Sequence, residues 1–360
     1  MESILGIVSK ICPCVKDLAV PYISFNNHQY RIISLLGEGG FSYVYLVSPK
    51  DNVDSLFALK KIKCPFGSND ETYKNAIKEI KNYHRFANCK SPYIIQSLDE
   101  AIINENDGSI TIYILLPYFE VSLQDIINYN VLNERKMEEA EIIRTLVGVC
   151  RGLQTLHKYR TTSRIREATI GEEEEDVLLP LDEEDEDEDV GNTSNGTELS
   201  EMLPFAHRDV KPGNIMISAE GLSVLVDFGS CSKAQITVRT RQQALALSDY
   251  AQQHCTLPYR APELLDVTTN TVITEKSDIW SLGCVLFACC FGYSPFEKAE
   301  IEHGANLNLA ISQGNYTIPE YHDNYSENLI ELIKSMIVVD SAKRPSIDEV
   351  LEKALANATN

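Results

Sequence analysis

An acid, a lysine and an amide lie close together in the stretch His207-Arg208-Asp209-Val210-Lys211-Pro212-Gly213-Asn214. The spacing suits phosphoryl transfer, because Asp209 could orient a hydroxyl nucleophile and accept its proton while Lys211 neutralises the moving phosphate. Asn214 could hold a metal ion. An acid and a lysine in a loop are more often a solvated ion pair. The hypothesis therefore depends on partners elsewhere in the chain.

The length and composition predict a two-part globular protein. The 360 residues exceed what one hydrophobic core usually covers. From Arg160 to Pro204 there are 16 acidic and 3 basic residues, which supply −13 of the formal net charge of −21. No basic stripe is interleaved with aromatic residues, which argues against nucleic acid as a ligand. Ten cysteines without paired metal spacing, and no signal peptide, predict a reducing, cytosolic compartment.

Residues 1–25 are predicted to form a membrane-anchor tail. The tail carries lysines and an apolar stripe at helical spacing, formed by Ile4, Ile7, Val8, Ile11 and Val15. Cys12 and Cys14 lie in this stripe and are predicted S-palmitoylation sites, since two acyl chains anchor stably where one does not. A tail that only packs on the domain is the alternative. No apolar run reaches the roughly 18 residues of a membrane span, so we expect a peripheral, lipid-anchored protein.

A glycine-rich turn lies between two strand-like segments. It comprises Gly37, Glu38, Gly39, Gly40, Phe41 and Ser42, and Val44 follows it. The strand after the turn excludes a dinucleotide-binding fold, which needs a helix there, and no Gly-Lys-Ser/Thr follows to make a P-loop. Such a hairpin can lay backbone N–H groups over the phosphates of ATP. Standing alone, the pattern is more often an ordinary turn.

A strand lysine follows this hairpin. Lys60 is predicted to point inward between its apolar neighbours Ala58 and Ile62, and a lysine so placed needs an anion. Glu79, on a helix-like segment over residues 75–86, could supply it, and Lys60 could also contact the α- and β-phosphates of ATP. A surface lysine and glutamate that never meet is the alternative.

The adenine contacts are predicted in two places. The apolar strand Ile110–Leu116 places Leu116 at the back of an adenine pocket, and the hinge residues Pro117, Tyr118 and Phe119 would pair with the adenine edge through their backbone. Met216 could form the floor beneath the ring, and Val44 and Ala58 are further predicted nucleotide contacts.

A second apolar strand ends in Asp227-Phe228-Gly229. Magnesium prefers oxygen ligands, and Asp227 with Asn214 supplies two. Phe228 is predicted to pack under the helix that carries Glu79. The sequence thus predicts bound Mg²⁺ beside the catalytic loop.

Other predicted residues mark the end of the segment that follows Gly229. Thr256 to Glu263 would end it, with Arg344 as the buried partner of Glu263, and Asp278 would brace the catalytic loop from below. Arg208 could bind a phosphate on this segment, with acceptors at Thr237, Thr240 or Ser248. If residues 244–253 form a stable helix, the segment could be ordered without phosphate.

An acidic insertion lies just before the catalytic loop in the sequence. Residues 161–203 contain long runs of Asp and Glu, which cannot bury apolar surface and which repel one another, so we expect a disordered loop. It is either an expanded loop without function or a docking site for a basic partner.

These motifs resemble those of eukaryotic protein kinases in order, spacing and local structure. Lys211 after Asp209, together with Thr256 before Glu263, resembles the serine/threonine pattern. Residues 241–256 are similar to the helical activation segment of the Numb-associated kinase family, in its serine/threonine-protein kinase 16-like branch. The hinge at residues 115–119 also resembles that branch.

The resemblance implies an α+β, bilobal kinase domain over residues 26–358, with an N-lobe at 28–116, a hinge at 117–120 and a C-lobe at 121–358. It implies ATP and Mg²⁺ as cofactors and protein substrates with Ser or Thr. It also implies a palmitoylated fungal enzyme on the cytoplasmic face of vacuolar, Golgi or endosomal membranes, acting in membrane trafficking or fusion.

Two departures from the family pattern stand out. Ser42 replaces the third glycine of the turn, and Glu2 excludes the N-myristoylation of the animal members, which leaves the anchor to Cys12 and Cys14. A pseudokinase scaffold that recruits trafficking partners is the competing class. The scaffold would not need the residues for metal, phosphate and proton contacts, and all of them are present. They are Lys60, Glu79, Asp209, Asn214 and Asp227.

Overall fold

The computed structural model describes residues 21–161, 201–298, 304, 306–320 and 324–358. The predictions for Cys12, Cys14 and residues 162–200 lie outside these ranges. The described chain forms two compact units: unit 1 holds the residues up to His84 with Ile95–Phe119, and unit 2 holds Arg85–Ile94 with the residues from Glu120 onward. Within the described ranges, no helix is both long and apolar enough to cross a membrane.

Unit 1 is built on one antiparallel sheet of six strands, rich in β-branched and aromatic residues. Helix α1 (Glu71–Ala87) lies between its fourth and fifth strands in sequence, and the last three residues of this helix belong to unit 2. The strands, in the spatial order β1-β2-β3-β4-β6-β5, are β1 (Tyr22–Phe25), β2 (His28–Glu38), β3 (Ser42–Pro49), β4 (Phe57–Cys64), β5 (Asp99–Asn104) and β6 (Ile110–Pro117).

Strand β1 lies inside the tail predicted for residues 1–25, so that tail is too long at its C-terminal end. The ring of Phe25 is buried and stacks on Tyr30 and Tyr113, with centroids 5.0 and 5.3 Å away. The hairpin to β2 turns through Asn26-Asn27, whose φ angles are 48° and 63°. Asparagine tolerates this left-handed region better than most residues. The first strand of the domain therefore precedes the predicted start at residue 26.

Unit 2 is mainly helical. Its central helix is α5, in which every residue from Ser277 to Cys290 is buried, as expected of a helix surrounded by other elements. The helices are α2 (Leu123–Leu132), α3 (Glu139–His157), α4 (Arg241–His254), α5 (Lys276–Phe291), α6 (Leu307–Gln313), α7 (Glu327–Met336) and α8 (Ile347–Ala358). The predicted α+β fold, with a β-rich N-terminal region and a helical C-terminal region, is confirmed.

Short strand pairs in unit 2 fix the loops around the site. The predicted catalytic loop lies between β10 and β11 in sequence, and β11 pairs with both β7 and β12. The short strands are β7 (Val121–Ser122), β8 (Arg160–Thr161), β9 (Glu201–Met202), β10 (Phe205–Ala206), β11 (Ile215–Ile217), β12 (Ser223–Leu225), β13 (Ser232–Lys233), β14 (Ile236–Thr237) and β15 (Val272–Ile273).

The ends of the acidic insertion form a short antiparallel stem. Strand β8 pairs with β9, and the Leu203 N–H donates to the Tyr159 carbonyl at 2.9 Å. Thr161 and the residues from Glu201 to Leu203, which the sequence assigned to a disordered loop over 161–203, therefore belong to the ordered chain. Their backbone hydrogen bonds could not be anticipated from charge composition.

Candidate active site

The glycine turn joins β2 to β3 in unit 1. The Gly39 N–H donates to the Ser42 carbonyl at 2.7 Å and closes the turn. A Cβ on Gly39 would lie 2.8 Å from Ser42 Oγ, so the hydroxyl would have to rotate, whereas a Cβ on Gly37 or Gly40 would meet no atom within 4 Å. This open space suits a backbone that a ligand approaches closely. Ser42 itself pairs with Ile62 in the β3–β4 ladder, where glycine has no conformational advantage.

Four of the predicted nucleotide-binding side chains share one face of the sheet. Val44 is the cross-strand partner of Lys60, Ala58 is that of Leu116, and Ala58 lies two residues before Lys60 on β4. Cross-strand partners and residues two apart project from the same face. Residues 117–119 follow as the end of β6 and the start of the connection to unit 2, and all three are half-buried.

The predicted pair of Lys60 and Glu79 is present in unit 1. Lys60 Nζ lies 2.7 Å from both carboxylate oxygens of Glu79. Tyr83, one turn later on α1, donates its hydroxyl to Glu79 Oε1 at 2.9 Å. Because Glu79 is 3% exposed, its charge needs these partners. No contact of Tyr83 with Glu79 was predicted from the sequence, although its position four residues after Glu79 was the available signal.

Asp209 lies within a cluster of polar contacts in unit 2. Lys211 Nζ lies 2.7 Å from Asp209 Oδ2 and donates to Thr256 Oγ1 at 2.7 Å. Asn214 Nδ2 donates to Asp209 Oδ2 at 3.0 Å, and the Thr256 N–H donates to Asp209 Oδ1 at 2.8 Å. Three residues of the predicted catalytic loop and Thr256 from a separate motif are therefore brought together, and three donors fix the orientation of one carboxylate.

The backbone of the catalytic loop is bound to a buried carboxylate, that of Asp278 on α5. The N–H groups of His207 and Arg208 donate to it at 2.7 and 2.9 Å, and His157 Nε2 lies 2.9 Å away. Burial alone would raise the pKa of Asp278, but the hydrogen bond from His157 and nearby positive charge lower it below its ordinary value. Asp278 braces the loop as the sequence indicated, whereas the role of His157 was missed.

Arg208 does not serve the phosphate-binding role that the sequence left open. It is 4% exposed, and its guanidinium donates to the carbonyls of Lys233, Ala234 and Thr274 and to the hydroxyl of Ser277. These contacts occupy both terminal nitrogens inside the core of unit 2. The expectation of a phosphate on this arginine is therefore wrong for the conformation seen here.

The metal-binding loop predicted at Asp227 begins next to Asn214. The Val226 N–H donates to the Asn214 carbonyl at 3.0 Å, and His207 Nε2 lies 3.0 Å from the Val226 carbonyl. Asn214 uses its amide nitrogen on the Asp209 carboxylate, which leaves its amide oxygen as the donor atom for a metal. The amide oxygen lies just before β11 and the Asp227 carboxylate just after β12, two strands that pair, and such oxygen ligands fit Mg²⁺.

Phe228 is buried in an aromatic cluster of unit 2. Its ring contacts Phe86, at the C-terminal end of α1, edge-on at 5.6 Å, and His207 at 5.8 Å. Phe86 also contacts Tyr159 and Phe205 edge-on, at 5.4 and 5.6 Å. Phe228 thus packs on the helix that carries Glu79, as the sequence predicted.

The segment between the metal-binding loop and Glu263 contains the helix predicted over residues 244–253. Thr240 caps α4 by accepting from the Gln243 N–H, and the Gln243 side chain reciprocates in a capping box. The helix packs by its apolar face on a buried cluster. Arg344 closes the segment by donating to both oxygens of Glu263, each at 2.7 Å. These contacts between residues of the chain order the segment.

The predicted site residues therefore fall into two assembled sets. Unit 1 holds the glycine turn, Lys60 with Glu79, and the apolar face with residues 117–119. Unit 2 holds the cluster around Asp209, the loop that begins at Asp227, and Met216, which lies on β11 opposite Val224 of β12.

Comparisons with known proteins show the family to which the chain belongs. The profile of the protein kinase domain matches residues 30–164 and 190–355. The interval between the two matches falls in the acidic insertion. Serine/threonine-protein kinase ENV7 of Saccharomyces cerevisiae is 41% identical over 365 residues, which cover 97% of each chain.

Two further relatives cover nearly the same span. Serine/threonine-protein kinase ppk13 of Schizosaccharomyces pombe is 37% identical over 348 residues, 94% of this chain and 95% of its own. Serine/threonine-protein kinase 16 of Homo sapiens is 32% identical over 348 residues, 95% of this chain and 93% of its own. This chain therefore belongs to the protein kinase family, as a serine/threonine protein kinase of the serine/threonine-protein kinase 16-like branch.

Proposed function

We propose that the chain transfers the γ-phosphate of MgATP to serine and threonine hydroxyls of proteins, with Asp209 as the group that orients the acceptor. The cluster in which Lys211, Asn214 and Thr256 contact the Asp209 carboxylate carries the proposal. These contacts hold a base in one orientation before any substrate binds. Positioned charge of this kind is the main device of phosphoryl transfer, in which the protein does little covalent chemistry.

Each member of the cluster has a distinct role in the proposal. Asp209 accepts the proton of the acceptor hydroxyl, and the N–H of Thr256 and the amide of Asn214 fix its carboxylate. Lys211 places a positive charge between Asp209 and Thr256, where negative charge develops as the phosphoryl group moves. These charges need no reorganisation during the reaction.

Each set of residues has its own proposed nucleotide contacts. Lys60, oriented by Glu79, and the backbone of the turn at residues 37–42 suit the phosphates. Asp227 and Asn214 suit Mg²⁺, which when bound neutralises phosphate charge. The side chains and backbone proposed to contact adenine are those of Val44, Ala58, Leu116, Pro117, Tyr118, Phe119 and Met216.

The reaction can be tested with the purified full-length chain, radiolabelled ATP, Mg²⁺ and a generic basic protein substrate. We expect label on serine or threonine, and a loss of about 100-fold or more in kcat for Lys211→Met. Lys334→Met is the matched control, because Lys334 pairs only with its surface neighbour Glu331 in the contacts seen. Label on tyrosine alone, or no label with the wild type, would contradict the proposal.

The N-terminal tail supports a proposal about location. The apolar stripe with its lysines, and Cys12 and Cys14 within it, suit a doubly palmitoylated anchor on the cytoplasmic face of a vacuolar, Golgi or endosomal membrane, where the kinase would act in trafficking or fusion. Cells expressing the Cys12→Ser, Cys14→Ser double variant should lose the membrane-bound fraction of the protein. Cys89→Ser, at an exposed cysteine outside the tail, should keep it. An unchanged membrane fraction in the double variant would end the proposal.

The acidic insertion supports the docking of a basic partner or substrate. The charge of −13 over residues 160–204 would attract such a partner over a distance set by the salt concentration. Replacing residues 162–200 with a short Gly-Ser linker should raise KM for a basic protein substrate at low salt, with KM for a short neutral peptide unchanged. Equal KM values for the basic substrate would contradict the proposal.

A further inference from the structure

A chain of two hydrogen bonds joins helix α4 to both loops of the unit 2 site. Tyr250 Oη on α4 donates to the Ser230 carbonyl at 2.8 Å, and Ser230 Oγ donates to the His207 carbonyl at 2.7 Å. Ser230 follows Asp227 by three residues, and His207 precedes Asp209 by two. One side chain of the helix thus contacts the metal-binding loop directly and the catalytic loop through Ser230.

The surroundings of Tyr250 keep its hydroxyl in place as a donor. Burial raises the pKa of Tyr250, so the hydroxyl stays protonated at neutral pH. Its ring lies 4.4 Å from that of His254, centroid to centroid. The helix is fixed at its C-terminal end by Arg260, whose guanidinium donates to the Cys255 carbonyl.

The loop that receives this hydrogen bond needs support. Asp227 has a φ of 66°, in the left-handed region that non-glycine residues seldom adopt, and such a conformation persists only when neighbouring structure holds it. Within the loop, the Gly229 N–H lies 3.4 Å from Asp227 Oδ1, a long contact. Ser230 is 6% exposed, so its carbonyl would have little access to water without the Tyr250 hydroxyl.

We propose that Tyr250 is a positioning residue for the metal-binding loop: its hydroxyl holds the Ser230 carbonyl and thereby keeps Asp227 in register with Asn214 and Asp209. The inference rests on the proposed function, because it takes Asp227 as a metal ligand. Helix α4 follows the metal-binding loop in sequence. It would then fix that loop as well as order the segment that ends at Glu263.

Tyr250→Phe removes the hydroxyl and keeps the ring, so the variant should fold. In the unliganded full-length protein, amide hydrogen exchange of residues 227–231 should accelerate about 3- to 10-fold, the effect expected from one lost hydrogen bond. With a non-hydrolysable ATP analogue, Mn²⁺ binding followed by electron paramagnetic resonance should weaken about 3- to 10-fold. KM for a peptide substrate should stay within about twofold of the wild type.

Two further variants distinguish positioning from general loss of stability. Ser230→Ala removes the second hydrogen bond of the chain and should also accelerate exchange in residues 227–231. Tyr325→Phe is the matched control, because its hydroxyl donates to the backbone carbonyls of Met137 and Cys290 and to neither loop. It should lower the melting temperature without changing exchange in residues 227–231 or Mn²⁺ affinity.

The outcomes separate this inference from the proposed function. If the wild type binds Mn²⁺ with the analogue but Tyr250→Phe matches it in both exchange and affinity, the inference is overturned and the proposed function stands. Equal effects of Tyr250→Phe and Tyr325→Phe on the loop would also overturn it. A wild-type chain that binds no Mn²⁺ with the analogue would overturn both.

Discussion

In unit 1 the site depends on one ion pair between side chains, Lys60 and Glu79, whereas in unit 2 the backbone of the catalytic loop is bound to the carboxylate of Asp278. The Lys60 side chain is 18% exposed, and that of Asp278 is 0% exposed. Rotation of Lys60 would break its pair while leaving it a path to water. The catalytic loop cannot leave Asp278 without stranding a buried charge and two backbone N–H groups.

This contrast implies that the catalytic loop of unit 2 is held in place before substrate binds. The Lys60–Glu79 pair of unit 1, by comparison, can break without unfolding the unit. In unit 2 the segment ending at Glu263 is ordered by α4 and by Arg344, and Arg208 is already used inside the core. In unit 1 the corresponding order rests on Lys60, Glu79 and Tyr83. Removal of Asp278 in unit 2 should therefore cost more stability than removal of Lys60 in unit 1.

The largest effect is expected at Asp278. Asp278→Ala removes the acceptor for His207, Arg208 and His157, and should lower the free energy of unfolding by about 3–5 kcal/mol, as for other broken buried charge networks. Urea denaturation measures this loss. Asp340→Ala, at an exposed aspartate that caps a surface turn, is the control and should cost under about 2 kcal/mol. Similar losses for the two variants would remove the contrast between the units.

In unit 1, Lys60→Met should lower kcat/KM about 100- to 1000-fold, the range for loss of one electrostatic contact in an active site. Stability should fall by less than for Asp278→Ala, because Tyr83 still donates to Glu79. Lys61→Met is a close control, since Lys61 lies on the opposite face of β4, above the ring of Tyr113. A kinase assay and a thermal melt of each variant decide the point. Equal activity of the two variants would show that the Lys60 pair is dispensable.

Acid should affect unit 2 through Asp278. Because its pKa is lowered in the folded state, the stability it contributes is present above its ordinary value of about 3.9 and is lost as the pH falls below that value. We expect the free energy of unfolding to fall between about pH 5 and pH 2, with a shallower fall in Asp278→Asn. Urea titrations across this range measure both slopes. Parallel slopes would mean that Asp278 is not the responsible group.

The smallest effect is expected at the acidic insertion. Joining Thr161 to Glu201 by a short Gly-Ser linker should leave the melting temperature and the peptide kinetics nearly unchanged, because β8 already pairs with β9. A deletion that also removes Tyr159 and Phe205 should destabilise the protein, since both rings pack on Phe86. Loss of folding in the first deletion would show that the stem needs the insertion.

The charged and polar site residues were predictable where a motif specifies local geometry. The inward position of Lys60 follows from strand alternation, and the spacing of Asp209, Lys211 and Asn214 follows from one loop. The match of Glu263 with Arg344 required only two buried opposite charges. In each case the interacting residues came from motifs whose local structure the sequence itself indicates.

Other contacts could not be predicted because they depend on tertiary packing. Nothing in the sequence shows that the Arg208 guanidinium donates to several backbone carbonyls, so a phosphate site was an equally reasonable prediction. Strand β1 was missed because four residues are too few for a clear alternation. The contact of Tyr250 with Ser230 joins residues 20 apart that no helical or strand period connects.

The proposed role of Asp209 can be tested by measuring phosphate transfer from radiolabelled MgATP to a serine- or threonine-containing protein by the wild type and Asp209→Ala. The wild type should incorporate label, and the variant should lose at least about 100-fold of that rate while still binding the nucleotide. Incorporation that is unchanged in Asp209→Ala, or absent from the wild type, would contradict a kinase built on this residue and favour a scaffold.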